Sequence, residues 1–214
     1  MLEQLKKEVL ETARLAERSG LCHHGGGNFS MTDRKEGLIA ITPSGKNRFD
    51  IDFQDIIIVD FSGNIVENVS NYKPSSELPM HLEILKARLD INAICHTHAR
   101  HAAVFSVLNK EVKPVICESL TYGGYCRVAP FEIPGTIELG RAAVKAMEGT
   151  KAVILEHHGL VCVGNNIYEA YKNSIYVEDV AEVCLKAMNI VDYSAVSALS
   201  DEQIKDMIAR GIGA

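Results

Sequence analysis

The sequence predicts an α/β fold in which a mixed sheet is covered by helices on both faces. Three observations lead there. Helical and strand-like segments alternate along the chain. Several strands come in pairs joined by short turns, which makes those neighbours antiparallel. The segment 91–98, INAICHTH, reads as a buried strand, as expected inside a covered sheet. No Gly-x-Gly-x-x-Gly follows the first strand, so neither a regular doubly wound sheet nor a dinucleotide site is expected.

The elements follow in order. Residues 2–19 form an amphipathic helix, with Leu2, Leu5, Val9, Ala13 and Ala16 at helical spacing and Gly20 placed to stop it. Residues 23–30, HHGGGNFS, read as a glycine-rich loop. Residues 37–43 read as a strand, and 55–68 as a hairpin turning at Ser62-Gly63. A helix follows Pro74, with Ser75 or Ser76 as its cap and Pro79 near its start. The strand 91–98 feeds a helix over 100–108. Short strands are expected at 115–117 and 126–129, then a helix from Thr136 to Met147. Residues 151–164 read as strand, turn and strand, and 167–189 as a long helix. Ser200 opens a last short helix with a capping signature.

Composition narrows the class. The chain has 214 residues, of which 47% are hydrophobic and 23% charged, with a formal net charge of -6. That suits one globular domain over 1–214 with a real core. Lys and Arg are scattered, so no nucleic-acid face is expected. The first residues are charged rather than apolar, and no apolar run is long enough for a membrane span, so a cytoplasmic protein is expected. None of the six cysteines are at Cys-x-x-Cys spacing, and they read as small buried hydrophobes.

Five of the eight histidines fall in two groups, His96-Thr97-His98-Ala99-Arg100-His101 and His157-His158. His96 and His98 are two apart at a strand end, so strand alternation puts both imidazoles on one face. That is half of a zinc site. His157 and His158 are adjacent and point apart, so one of them joins the cluster, with Gly159 leaving room for a tight turn. Three protein ligands and an open position make a catalytic metal site. Glu77 and His81 are four apart and share a helical face; a carboxylate there completes the sphere or acts as a base. His23, His24, His81 and His101 read as structural, surface or supporting residues. Histidine and carboxylate ligands accept zinc, manganese and cobalt alike.

Three loops carry phosphate-binding residue types. They are Gly25-Gly26-Gly27-Asn28 with Ser30, Thr42-Pro43-Ser44-Gly45-Lys46, and Pro74-Ser75-Ser76-Glu77. Glycines let backbone N–H groups approach an anion, and hydroxyls donate without adding charge. Each alone is ordinary turn chemistry; the three together, ahead of a histidine cluster, point to a bound phosphate.

Taken in order, GGGNFS, ITPSG, PSSE followed by His81, HTHA and EHHGL resemble the class II aldolase/adducin family. The likeness is strongest to its L-fuculose-phosphate aldolase branch, and it runs from the first helix to LSDEQI. The resemblance implies a three-layer α/β/α fold with a largely antiparallel sheet. It also implies a homotetramer with active sites between subunits. It assigns His96, His98 and His158 as ligands of one zinc per subunit. Glu77 is then a ligand of the resting metal and an acid/base. Gly27, Asn28, Ser44, Gly45, Ser75 and Ser76 match the phosphate-binding positions. The implied reaction cleaves a phosphorylated sugar, a ketose 1-phosphate such as L-fuculose 1-phosphate, to dihydroxyacetone phosphate and a small aldehyde. The metal would act as a Lewis acid.

Three positions depart from that branch. Glu118 falls where the branch has a tyrosine that protonates the aldehyde oxygen, with Tyr122 four residues on. Related dehydratases of methylthioribulose phosphate place a glutamate near here. The terminal residues RGIGA carry no tyrosine where the branch supplies one. Gly25 replaces a threonine. Dehydration or epimerisation of a related sugar phosphate through Glu118 is therefore the second reading. A non-catalytic, adducin-like scaffold is the third, and the intact His96, His98, His158 and Glu77 argue against it.

Overall fold

Helix α1, Leu2–Arg18, forms because Val9, Leu10, Ala13 and Ala16 make one buried stripe; Gly20, at φ 75°, then turns the chain out of it. The structure is a computed structural model describing residues 2–212. The end of the tyrosine-free terminus, Gly213 and Ala214, lies outside the described residues.

Eight strands form one sheet: β1 Asn28–Asp33, β2 Leu38–Ile41, β3 Ile57–Asp60, β4 Ile65–Glu67, β5 Ala93–Thr97, β6 Arg127–Ala129, β7 Ala152–Leu155 and β8 Gly159–Gly164. Their order is β4-β3-β2-β1-β5-β8-β7-β6, and every pairing is antiparallel except β6 with β7. The remaining helices are α2 Leu78–Ala87, α3 Arg100–Leu108, α4 Ile137–Ala146, α5 Ile167–Met188 and α6 Asp201–Ala209. Ser200 and Gln203 close α6 with a reciprocal capping box.

Strand alternation divides the interior into two cores. Phe29, Ala40, Ile58, Cys95 and Cys162 face α1, α3 and α5. Ile39, Ile57, Ile94, Val161 and Val163 face α2 and α4. Each Phe, Ile or Val among them contributes roughly 1.5–3 kcal/mol on burial. The expected α/β class, with a mostly antiparallel sheet and helices on both faces, is thus observed.

Three expectations are corrected. Residues 28–30 are not loop but the start of β1, in the middle of the sheet. Asn28 and Ser30 are polar yet buried on the α2 face, so the strand lacks an apolar signature. No strand forms at 115–117. Pro114 has no N–H for a ladder, and Ser119 turns back to the Ile116 carbonyl through both its N–H and its hydroxyl, opening a 3-10 turn over Cys117–Tyr122. Five cysteines are buried as expected, but Cys117, on that turn, is exposed; all six are free thiols.

Helices α2 and α4 pack closely, and Gly140 is why. A methyl group built on it would lie 2.7 Å from Glu83 Cβ and 3.1 Å from Met80 Cα. Gly140→Leu is expected to push the helices apart and destabilise the protein by about 1–3 kcal/mol. A denaturant midpoint equal to that of the unsubstituted protein would contradict this packing account.

Candidate metal centre

The centre is built where β5, β8 and the start of α2 meet. β5 pairs with β8 so that Thr97 stands opposite Leu160. The β7–β8 turn therefore delivers His158 next to His96 and His98. The three rings gather with centroids 5.1 Å (His96–His98), 4.8 Å (His96–His158) and 5.5 Å (His98–His158) apart. One ligand atom from each lies within 4.8 Å of the others. Small side-chain rotations bring that set onto one ion with metal–nitrogen bonds of about 2.1 Å. His157 does not join. Its backbone is left-handed, at φ 54°, and its exposed ring meets Phe131 edge-on at 6.4 Å.

The hydrogen bonds of His96 leave one of its ring nitrogens free. Its ring is wholly buried, and Nδ1 lies 3.0 Å from the Leu160 carbonyl. A carbonyl only accepts, so Nδ1 carries the proton and Nε2 the lone pair. Nε2 is buried without a hydrogen-bond partner and faces Glu77 Oε2 at 3.5 Å. A buried lone pair left unpartnered in this way suits a metal ion. His158 Nε2 lies 3.4 Å from Glu77 Oε1.

Glu77 is the N-cap residue of α2, and Pro79 stands in the first turn, where its missing N–H breaks nothing. Neither Ser75 nor Ser76 is the cap. The Ser75 hydroxyl instead accepts the N–H of the N-cap residue Glu77 itself, at 3.3 Å, two residues before the helix cap. The helix runs unbroken past Pro79, so Glu77 and His81 both face the sheet as the spacing predicts.

Charge is distributed as a metal site needs it. Burial raises the Glu77 carboxyl, but the imidazoles of His96 and His158, with His81 farther off, outweigh it and hold it at about 2. Burial pushes His96 down to about 3 against the pull of Glu77. His98 is lowered by burial and by neighbouring His158. Burial likewise lowers His81 to about 4. Burial thus favours the neutral imidazoles of His81, His96 and His98 beside one ionised carboxylate.

The three glycine- and hydroxyl-bearing loops converge beside this centre. Ser44 N–H donates to the Lys73 carbonyl and Ser75 N–H to the Thr42 carbonyl, joining the second and third loops. Thr42 Oγ1 accepts from Phe29 N–H, joining them to β1. Asn28 stands opposite His96 in the β1–β5 register. Gly27 adopts φ 72°, and a methyl group there would lie 2.4 Å from the His96 carbonyl oxygen, so no larger residue fits. Ser44, Gly45 and Ser76 are exposed, while Asn28 and Ser75 are buried.

The sequence signals missed Arg48. It is buried, paired with Glu17, and donates to the carbonyls of Gly26 and Gly27 at 2.6 and 2.8 Å. That turns the loop carbonyls inward. Nothing in its local sequence marks it, because these partners are 21 or more residues away.

Glu118 and Tyr122 are placed differently from the histidines. Glu118 is exposed on the 3-10 turn near Asp179, and shares no hydrogen bond or ion pair with Glu77 or the three histidines among the described residues. Tyr122 is fully buried, its hydroxyl unpartnered in the α5-side core, so it is not available as a proton donor to a pocket.

Comparison with known proteins agrees with this geometry. Residues 7–185 match the family described as Class II Aldolase and Adducin N-terminal domain. The chain is 35% identical over 191 residues to 5-deoxy-D-ribulose 1-phosphate aldolase of Bacillus thuringiensis serovar kurstaki, covering 89% of this chain and 88% of the relative. It is 33% identical over 201 residues to 5-methylthioribulose-1-phosphate/5-deoxyribulose-1-phosphate aldolase of Rhodospirillum rubrum, covering 94% and 89%. A solved structure of L-fuculose 1-phosphate aldolase superposes with a TM-score of 0.92 at 35% identity, covering 97% of this chain and 96% of that one.

The buried histidines set a pH dependence for the metal-free protein. His81 and His96 have folded pKa values below the ordinary 6.5, so the unfolded chain takes up their protons first. Their contribution to stability is complete above about 6.5 and is lost as pH falls through about 4 and then about 3. The melting temperature of chelator-treated protein is expected to drop between about pH 7 and pH 5. A flat profile across that window would mean that these rings are not held neutral by burial.

Proposed function

The chain belongs to the class II aldolase and adducin family, and from that premise we propose that it is a zinc-dependent lyase cleaving a ketose 1-phosphate to dihydroxyacetone phosphate and a small aldehyde. It is a class II aldolase of the fuculose-phosphate and deoxyribulose-phosphate type. The observation that carries the reading is the buried, unpartnered His96 Nε2 facing the ionised Glu77 carboxylate.

His96, His98 and His158 hold the metal, with Glu77 as a further ligand at rest. A divalent ion there supplies Lewis acidity toward the negative charge that develops when the carbon–carbon bond breaks. Gly27, Asn28, Ser44, Gly45, Ser75 and Ser76 bind the phosphate through backbone N–H groups, an amide and hydroxyls. In the bond-forming direction the Glu77 carboxylate takes a proton from C3 of dihydroxyacetone phosphate. C3 bonds to the aldehyde carbon, and the aldehyde oxygen is protonated to a hydroxyl; cleavage reverses each step. Glu118 is the proton carrier at that oxygen. In one chain it is exposed, so it would serve a neighbouring subunit's pocket, in a homotetramer whose sites lie between subunits. Exposed Val107, Phe131, Ile133 and Ile137 support such an assembly. No described helix is long and apolar enough to cross a membrane, and the proposed setting is the cytoplasm.

Elemental analysis is expected to find about one zinc per chain. A coupled assay is expected to detect dihydroxyacetone phosphate from L-fuculose 1-phosphate or 5-deoxyribulose 1-phosphate. His96→Ala should lose metal and activity together while circular dichroism stays native; full activity in that variant would sink the metal assignment.

Glu77→Gln and Glu118→Gln separate the two proton carriers. Glu77→Gln should retain phosphate affinity and lose turnover by roughly 10²-fold or more. Glu118→Gln should slow cleavage by a smaller factor. Metal-loaded protein that releases no dihydroxyacetone phosphate would move the assignment to dehydration or epimerisation at Glu118.

A further inference from the structure

We infer that His81 is a positioning residue that aims the side-chain amide of Asn28 at the substrate phosphate. This rests on the phosphate reading of the three loops given above.

His81 lies on α2, on the face turned to the sheet, and is wholly buried. Its Nε2 meets Asn28 Oδ1 at 2.5 Å and its Nδ1 meets Ser30 Oγ at 2.6 Å. Asn28 and Ser30 alternate along β1, so both point toward α2, and one imidazole spans them. Oδ1 only accepts, so Nε2 carries the proton, Nδ1 carries the lone pair, and the Ser30 hydroxyl donates to it.

The consequence falls on the other half of the Asn28 amide. With Oδ1 held by His81, the two Nδ2 hydrogens are the donors left to Asn28, and the Oδ1 contact is the one side-chain hydrogen bond Asn28 makes among the described residues. Asn28 follows Gly27 and stands opposite the ligand His96, so those donors belong to the pocket. Turned the other way, the amide would present oxygen lone pairs to an anion. An unrestrained asparagine samples both orientations; the Ser30–His81 link selects the one that binds phosphate. The null alternative is that His81 is a satisfied core histidine that only ties α2 to β1.

A double-mutant cycle separates these roles, read by isothermal titration of inorganic phosphate into the metal-loaded enzyme and by steady-state kinetics. His81→Leu is expected to weaken phosphate binding about tenfold and raise KM similarly, with kcat within about threefold and zinc content unchanged. His81→Gln, which keeps a donor for Oδ1, should restore most of that loss. In an Asn28→Ala background, His81→Leu should add little, because the group it orients is gone. Equal effects of His81→Leu with and without Asn28 would overturn the proposal and leave His81 a packing residue. So would a loss confined to kcat. Failure of the unsubstituted enzyme to bind phosphate would instead overturn the phosphate reading of the loops, whatever the variants do.

Discussion

The pairing of β5 with β1 on one side and β8 on the other is the constraint on which the rest of the site depends. The β1 pairing sets Asn28 opposite His96, which puts the glycine-rich loop beside the clustered histidines. The β8 pairing supplies the Leu160 carbonyl that fixes the His96 tautomer, and it brings the turn carrying His158 alongside. A slip of one residue in either register would turn His96 to the other face of the sheet. The glycines at these crossings are steric requirements of the same pairing. A side chain on Gly159 would meet the Thr97 carbonyl oxygen at 2.5 Å, as one on Gly27 would meet that of His96.

Helix α2 gives the pocket its chemistry. Its N-terminal residue delivers the carboxylate, and its second turn delivers His81. Burial does opposite things to these two groups, penalising charge on both while leaving only Glu77 enough compensating neighbours to stay ionised. The result is one ionised carboxylate beside the neutral rings of His81 and His96. Because the lack of a Cβ at Gly140 lets α2 sit against α4, the placement of Glu77 depends on packing on the far side of its own helix.

Much of this was readable along the chain. His96-Thr97-His98 and His157-His158-Gly159 carry their meaning locally, since strand alternation and the divergence of adjacent residues need no tertiary information. Hairpin and helix boundaries followed from Ser62-Gly63, Thr136 and Ser200, whose capping and turn chemistry acts within a few residues. The strand β1 was hidden because its polar residues are satisfied by partners more than 50 positions away, as in the Asn28–His81 contact. Ser75 looked like a cap because its hydroxyl does bind a backbone N–H, that of the cap residue Glu77 two positions on.

By itself, then, the sequence determined the residue types, the local periods and the order of the motifs, because those are set by backbone geometry over a few residues. Only the tertiary structure decided which nitrogen of His96 is free and how the β7–β8 turn brings His158 to the cluster while His157 turns to solvent. It also decided that Arg48 holds the glycine loop, and that Tyr122 is sealed in the core while Glu118 is open to solvent. Each of these depends on which distant group comes within hydrogen-bonding or van der Waals reach. That follows from the register of the strands and the seating of the helices, which no short stretch of chain encodes.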